Sequence, residues 1–132
     1  MASSNRPSDR PLLDKLGVKP DARVALVGLD EPWFRELLAS RTRHIAVARP
    51  RKDSDLIFVR VDHRDGLARI GGLQRFLVAN GAIWVIRPKG SPHIKEVDII
   101  DAGIEAGLVD NKIASFSETL SAMRLVIPLA RR

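Results

Sequence analysis

The chain has 132 residues and a formal net charge of +6, and 45% of its residues are hydrophobic while only 5% are aromatic. This length predicts one domain with one substantial core. The absence of cysteine excludes disulfides, thiolate nucleophiles and cysteine metal sites. No apolar run approaches the ~20 residues that cross a bilayer, so we expect a cytoplasmic protein without membrane association.

The N-terminal segment differs in composition from the rest of the chain. Residues 1–10 are rich in Ser, Arg and Pro, so we expect a disordered leader followed by a single domain over 11–132. A short helix ending at Leu16 opens this domain, because Pro11 suits the first turn of a helix and Gly17 suits its left-handed exit.

Strand and helix patterns alternate along the remainder of the chain. Compact apolar runs bounded by turn residues predict strands covered on both faces, and apolar residues at helical spacing predict amphipathic helices. In the first half of the chain we predict a strand at 23–28, a helix with Asp30 as its acidic cap that continues to about Ser40, and strands at 44–48 and 55–61. A helix at 65–79, ended by Asn80 and Gly81, precedes a strand at 82–87. A helix at 93–106 follows, with Ile94, Val97, Ile100 and Ile104 on its apolar side, and the chain ends with strands at 109–117 and 121–127.

This alternation predicts an α/β fold class, a three-layer Rossmann-like mixed sheet that is mainly parallel and ends in an antiparallel hairpin. The hairpin follows because the link at 118–120 is too short for a parallel crossover. Only about six residues join strand 44–48 to strand 55–61, so either strand 44–48 is antiparallel or an extended link skips a strand. An exposed sheet edge beside 44–48 also makes a homodimer an open alternative.

Several segments resemble known families. The run from Leu77 to Pro88 is similar to the helix, glycine turn and fifth strand of the class I S-adenosylmethionine-dependent methyltransferase fold. The stretch from Pro11 to Leu129 resembles a bacterial family catalogued as domain of unknown function 3052. The segments that carry this resemblance are 16–20 (LGVKP), 84–91 (WVIRPKGS), 107–112 (GLVDNK), and 117–121 (SETLS) together with Arg124. The resemblance implies a shortened methyltransferase-like fold and supplies no activity.

The first strand-to-helix turn bears on cofactor binding. Nucleotide-binding folds place several glycines there so that backbone N–H groups approach the ligand. Only Gly28 fits this pattern, because Leu29 fills the space of close approach and the carboxylates of Asp30 and Glu31 would repel a pyrophosphate. We therefore expect no dinucleotide cofactor. S-adenosylmethionine carries no phosphate, so weak binding of that ligand near Gly28 and Asp30 is an alternative.

The candidate ligand site lies where strand 82–87 ends and the next helix begins, an edge where open α/β sheets bind ligands. With Ser91 as cap and Pro92 in the first turn, the amides near the predicted helix start would face an anion. The candidate anion site comprises Lys89, Gly90, Ser91, His93, Glu118 and Thr119, the last two from the terminal hairpin turn. The other interpretation is a well-capped helix with a solvated lysine and a polar turn.

A basic segment runs from position 41 to position 52 without an intervening acid. Its cationic residues are Arg41, Arg43, Arg49, Arg51 and Lys52. Such a segment can contact nucleic-acid phosphates. Aromatic residues for base stacking are scarce, however, and a solvated arginine-rich surface explains the same pattern.

The sequence predicts neither a metal site nor a catalytic residue. His44, His63 and His93 lack the spacing of a zinc motif. The acidic residues at 98, 101 and 105 share one helical face, which favours a solvated surface. The leading interpretation is a non-catalytic binding or interaction module for a small anionic ligand or a protein partner. The alternatives are a degenerate S-adenosylmethionine-binding protein and a nucleic-acid-associated protein.

Overall fold

The computed structural model describes residues 9–132, so most of the predicted leader lies outside the described residues, although helix α1 already includes Asp9 and Arg10. The helices are α1 Asp9–Leu16, α2 Pro32–Ala39, α3 Ile70–Leu73 and α4 Glu96–Glu105, and the strands are β1 Val24–Val27, β2 Ile45–Val47, β3 Ser54–Arg60, β4 Leu77–Pro88, β5 Val109–Ser115 and β6 Leu120–Val126. Short 3₁₀ turns flank α3 at Arg64–Arg69 and Gln74–Phe76. No helix between residues 9 and 132 has both the length and the apolar character needed to span a membrane.

The six strands form one mixed sheet in the order β2-β1-β3-β4-β6-β5. β1 pairs in parallel with β2 and β3, β3 pairs in parallel with β4, and β6 is antiparallel to both β4 and β5. The predicted fold class, with its terminal hairpin, is confirmed.

The short link at 48–53 resolves the ambiguity of β2. β2 runs parallel to β1, so the link is extended and skips β1 to reach β3. Ala48 and Asp53, at the two ends of this link, have positive φ angles of 73° and 64°. The left-handed conformation of these two residues allows a six-residue link to make the parallel crossover from β2 to β3, a connection that usually contains a helix.

Two apolar cores lie on opposite faces of the sheet, because the central parallel strands are covered on both sides. On one face, α1 and α2 pack on the sheet, and the largest buried side chains there are Trp84, Phe34 and Phe58. On the other face, α3 and α4 cover a second cluster that includes Ile57 and Ile70. The protein therefore has the predicted three layers.

The two tryptophans differ in their surroundings. Trp84 is fully buried, and its indole N–H donates to the carbonyl of Leu16 at a distance of 3.0 Å. This bond satisfies a carbonyl at the end of α1 that the helix itself leaves unpaired. Trp33, by contrast, is partly exposed and donates to the Glu31 carboxylate at 3.0 Å.

The predicted helix at 65–79 is wrong at its C-terminal end. β4 already begins at Leu77, so Asn80 and Gly81 lie within a strand and do not end a helix. Gly81 sits where the β3–β4 pairing shifts register, and a Cβ at this position would lie 2.8 Å from the Asp55 carbonyl oxygen. The glycine is therefore required by the close approach of two strands.

The predicted apolar side of α4 is also partly wrong. Ile94 precedes the helix and is buried, whereas Val97 and Ile104 are 56% and 62% exposed. The helix instead buries Ile99 and Gly103. A Cβ on Gly103 would lie 3.1 Å from the Leu125 side chain, so the glycine lets α4 pack closely on β6.

Candidate functional site

The carboxyl ends of β1, β3 and β4 lie at one edge of the sheet, because these three strands are parallel. The chain leaves β1 towards β2 on one side and leaves β3 towards β4 on the other. The crevice between the ends of β1 and β3 is therefore the topological switch point, where open α/β sheets bind ligands.

Gly28 lies at this switch point with a positive φ of 70°. A Cβ at Gly28 would lie 3.6 Å from a guanidinium nitrogen of Arg69 and 3.8 Å from the Arg60 carbonyl oxygen. The neighbouring Leu29 is buried and Asp30 is exposed. The Arg69 guanidinium thus lies beside Gly28, the glycine of the first strand-to-helix turn.

Charged side chains pair with one another beside the switch-point crevice. The Arg60 guanidinium lies 2.8 Å from the Asp62 carboxylate and 3.8 Å from that of Glu31. Glu31 is the N-cap residue of α2 and makes no side-chain cap bond, so the expectation that Asp30 caps this helix is wrong. The Glu31 carboxylate instead accepts from Trp33.

The loop after β4 contains most of the candidate anion site. The Lys89 ammonium donates to the Ser115 hydroxyl at 2.8 Å, and the Lys89 backbone N–H donates to the Thr119 carbonyl at 2.9 Å. The structure therefore brings Lys89 beside the hairpin turn, as expected. Its side chain contacts Ser115 of β5, and no ion pair joins it to Glu118 of the candidate site.

Gly90 and Ser91 complete this loop. Gly90 has a φ of 69°, and no other group lies within 4 Å of where its Cβ would be. The Ser91 hydroxyl accepts from the His93 backbone N–H at 3.1 Å. The space around Gly90 is therefore open, while the His93 amide already has a partner within the loop.

The predicted helix start at His93 is wrong, because α4 begins at Glu96. The carbonyls of Pro92 and His93 accept from Arg64, which holds this segment in a loop. The Asp98 carboxylate accepts from the Lys95 backbone N–H at 2.8 Å and so caps the helix. The first turn of α4 is therefore acidic, and its amides no longer contribute to the candidate anion site.

Two histidines meet at this edge, a contact that sequence spacing did not predict. The rings of His63, after β3, and His93, after β4, have centroids 4.7 Å apart. Both residues are exposed. One signal was available: each histidine follows one of two neighbouring parallel strands, whose carboxyl ends must lie side by side. Among the described residues, no group of three or more His, Asp or Glu side chains is arranged to hold a metal ion.

Three arginines at this edge already have acidic partners, whereas Arg69 beside Gly28 forms no ion pair with the side chains described for residues 11–132. Arg60 pairs with Asp62, Arg64 lies 3.0 Å from Asp98, and Arg87 lies 3.5 Å from Glu96. Lys89 has no carboxylate partner among the side chains described for residues 11–132, and its ammonium contacts a hydroxyl.

The basic segment does not form one surface. The Arg41 guanidinium donates to the Asp14 carboxylate at 2.7 Å and to the Val18 carbonyl at 2.9 Å, so Arg41 holds α1 in place. Arg43, Arg49, Arg51 and Lys52 are exposed. These four residues lie around β2 and its link, away from Lys89.

Comparison with solved structures shows a class I methyltransferase-like fold. A SAM-dependent methyltransferase from Aquifex aeolicus superposes with a TM-score of 0.69 at 15% identity, over 93% of this chain and 95% of that protein. A SAM-dependent O-methyltransferase from Thermotoga maritima gives 0.66 at 11% identity, over 92% and 65%. Fibrillarin from Aeropyrum pernix with natively bound S-adenosyl-L-methionine gives 0.54 at 14% identity, over 83% and 68%. The chain matches no protein-family model and no curated protein.

Proposed function

We propose that this chain is a non-catalytic binding module with a methyltransferase-like fold, which holds a small anionic ligand where β4 ends. The observation that carries the proposal is the position of Lys89. Lys89 is exposed, it follows the carboxyl end of β4, and its ammonium contacts the Ser115 hydroxyl at 2.8 Å. The nearby Arg60, Arg64 and Arg87 are already matched to carboxylates.

The loops that meet beside Gly90 carry several hydrogen-bond donors. The hydroxyls of Ser91 and Thr119 and the ammonium of Lys89 lie in the two loops that meet there, joined by the bond from Lys89 N–H to the Thr119 carbonyl. A cation with neighbouring hydroxyl donors is the arrangement that binds carboxylate, sulfate or phosphate. The adjacent glycine leaves room for a ligand to approach the backbone.

The switch-point crevice supports binding without catalysis. At this crevice Arg60 is paired with Glu31 and Asp62, so three of the charged side chains there are engaged with one another. Charged groups that orient a reacting substrate must be available to it. We therefore place the ligand at the Lys89 loop and assign no catalytic role at the crevice.

The test is thermal stabilisation by sulfate and by oxalate at constant ionic strength, with Lys89→Ala and the matched control Lys19→Ala. Both substitutions remove one exposed positive charge, and Lys19 lies in the turn before β1. We expect both anions to raise the Tm of the wild type. Loss of a charged hydrogen-bond donor should weaken binding about tenfold in Lys89→Ala, while Lys19→Ala keeps the wild-type response. An unchanged response in Lys89→Ala, or no response in the wild type, contradicts the proposal.

The alternative function is weak S-adenosylmethionine binding at Gly28 and Asp30. Two observations favour it: the structural neighbours are SAM-dependent methyltransferases and a fibrillarin with bound S-adenosyl-L-methionine, and the Arg69 guanidinium beside Gly28 suits a ligand carboxylate. Calorimetry with S-adenosylmethionine tests this alternative. Binding that weakens about tenfold in Arg69→Ala and is unchanged in Lys89→Ala supports it, whereas no heat at millimolar ligand rejects it.

A further inference from the structure

A cavity lies at the edge of the sheet opposite the switch-point crevice, where β1, β2 and β3 begin. Its volume is about 280 Å³. The polar side chains that line it are Arg23, His44, Arg51, Lys52 and Ser54. Three of these residues are permanent cations and a fourth is a histidine, while no carboxylate lines the cavity. This cavity is separate from the Lys89 loop, because Lys89 follows the carboxyl end of β4.

The walls of the cavity are fixed by the backbone of the sheet. The His44 carbonyl accepts from the Val24 N–H at 2.9 Å, which joins the starts of β2 and β1. Ser54 is only 2% exposed, and its hydroxyl donates to the Arg51 carbonyl at 2.5 Å. The backbone that carries Arg51 is therefore anchored to the first residue of β3.

The positive charge of the cavity is not balanced by the described part of the chain. Among the side chains described for residues 11–132, no ion pair is formed by Arg23, Arg51 or Lys52. The acids nearest in sequence, Asp21 and Asp53, do not line the cavity, and Asp55, whose carboxylate accepts from the Arg23 backbone N–H at 2.8 Å, does not line it either. By contrast, Arg41 of the same basic segment is paired with Asp14.

Three cations around one cavity repel one another, and an anion between them offsets that repulsion. The geometry points to a binding site for a phosphate group of a small ligand, held by Arg51, Lys52 and Arg23. Guanidinium and ammonium groups are the side chains that bind phosphate most strongly. The volume lies just below the ~300–1,000 Å³ typical of pockets for organic ligands, which suits a small phosphorylated compound.

The same charges are less suited to nucleic acid. Sequence-tolerant binding of single strands uses a long basic groove with aromatic side chains for stacking. The cavity is compact, and no aromatic side chain lines it apart from the imidazole of His44. Arg43 and Arg49, the other exposed arginines of the basic segment, lie outside it. These two residues therefore serve as controls that distinguish a small phosphorylated ligand from a nucleic-acid backbone.

The test is calorimetric titration of the full chain with inorganic pyrophosphate at constant ionic strength. The variants are Arg51→Ala and Lys52→Ala, with Arg43→Ala and Arg49→Ala as controls that remove the same charge. Loss of a charged donor should weaken binding about tenfold in each cavity variant. The controls should stay within about twofold, because surface charges outside the site contribute little.

Two results would overturn the inference. One is an absence of pyrophosphate binding by the wild type at millimolar concentration. The other is an equal loss of affinity in cavity variants and controls, which would mean that the whole basic surface attracts anions. A parallel titration with a short single-stranded oligonucleotide separates the sources of phosphate. Oligonucleotide binding that is stronger than pyrophosphate binding and is lost in Arg43→Ala and Arg49→Ala would assign the surface to nucleic acid instead.

Discussion

A single residue, Gly81, allows the backbones of β3 and β4 to approach each other closely. Its Cα faces the backbone of β3 so closely that a methyl group would lie 2.8 Å from the Asp55 carbonyl oxygen and 3.2 Å from that of Ser54. Backbone oxygens in a paired strand cannot move aside as a flexible side chain can. Any side chain at position 81 must therefore disturb the β3–β4 pairing.

We predict that Gly81→Ala lowers the free energy of unfolding by about 1–3 kcal/mol, since overpacking forces backbone shifts. Gly72→Ala is the matched control, because Gly72 lies in α3 and nothing is within 4 Å of its Cβ position. Alanine at that helical site should leave stability unchanged or raise it by up to about 1 kcal/mol. Urea unfolding measures both variants, and equal stability of the two would contradict the strand contact.

The candidate site residues were only partly predictable from the sequence. The loop 89–91 and the hairpin turn meet as expected, because a polar turn after a buried parallel strand must lie at the sheet edge. The contacts of His63 with His93 and of Lys89 with Ser115 join residues 30 and 26 positions apart. Such contacts depend on strand order, which residue spacing does not reveal.

At the scale of elements, α4 carries apolar residues on more than one side. Ile99 is fully buried, whereas Ile104 is 62% exposed. Periodicity alone selects Ile94, Val97, Ile100 and Ile104, because the sequence does not show that the segment before Glu96 forms a loop. The capping contact of Asp98 with the Lys95 N–H sets the true start and hence the buried side.

We predict that Ile99→Ala lowers the free energy of unfolding by about 2–5 kcal/mol, because it leaves a cavity in a packed core. Ile104→Ala on the same helix should change it by less than about 0.5 kcal/mol, since the side chain is exposed. Chemical denaturation measures the free energy of unfolding of both variants and so compares the two sides of α4. A larger loss of stability in Ile104→Ala than in Ile99→Ala would indicate that α4 buries the side expected from periodicity.

The strands were more predictable than the helices. Strands covered on both faces have continuous apolar runs, and β1, β3 and the second half of β4 show this pattern. The first half of β4 was read as helix because Leu77 continues the spacing of Leu73 and Ile70. Pairing of Leu77 with Ser54 overrides that local pattern, as tertiary contacts often do.

At the scale of the whole molecule, the two candidate anion sites lie at opposite edges of the sheet. The Lys89 loop follows β4 and the cationic cavity precedes β3. These sites are separated by the length of β3, seven residues, which spans roughly 20 Å. The screening length at physiological ionic strength is about 8 Å, so the charges at one edge hardly affect those at the other.

We predict that the two sites bind independently. Lys89→Ala should change the dissociation constant of pyrophosphate at the cavity by less than about twofold, and Arg51→Ala should leave the stabilisation by oxalate intact. Calorimetry on both single variants and the double variant provides the measurement. Strong coupling in the double variant would indicate that one shared site accounts for both responses.

The bond between Trp84 and the end of α1 gives the protein a built-in optical reporter. In a Trp33→Phe variant, all tryptophan emission comes from an indole that is fully buried and donates to the Leu16 carbonyl. Undocking of α1 exposes that indole to water, which shifts its emission to longer wavelength and opens it to quenchers such as acrylamide. Release of the N-terminal helix can therefore be followed by fluorescence without an attached label.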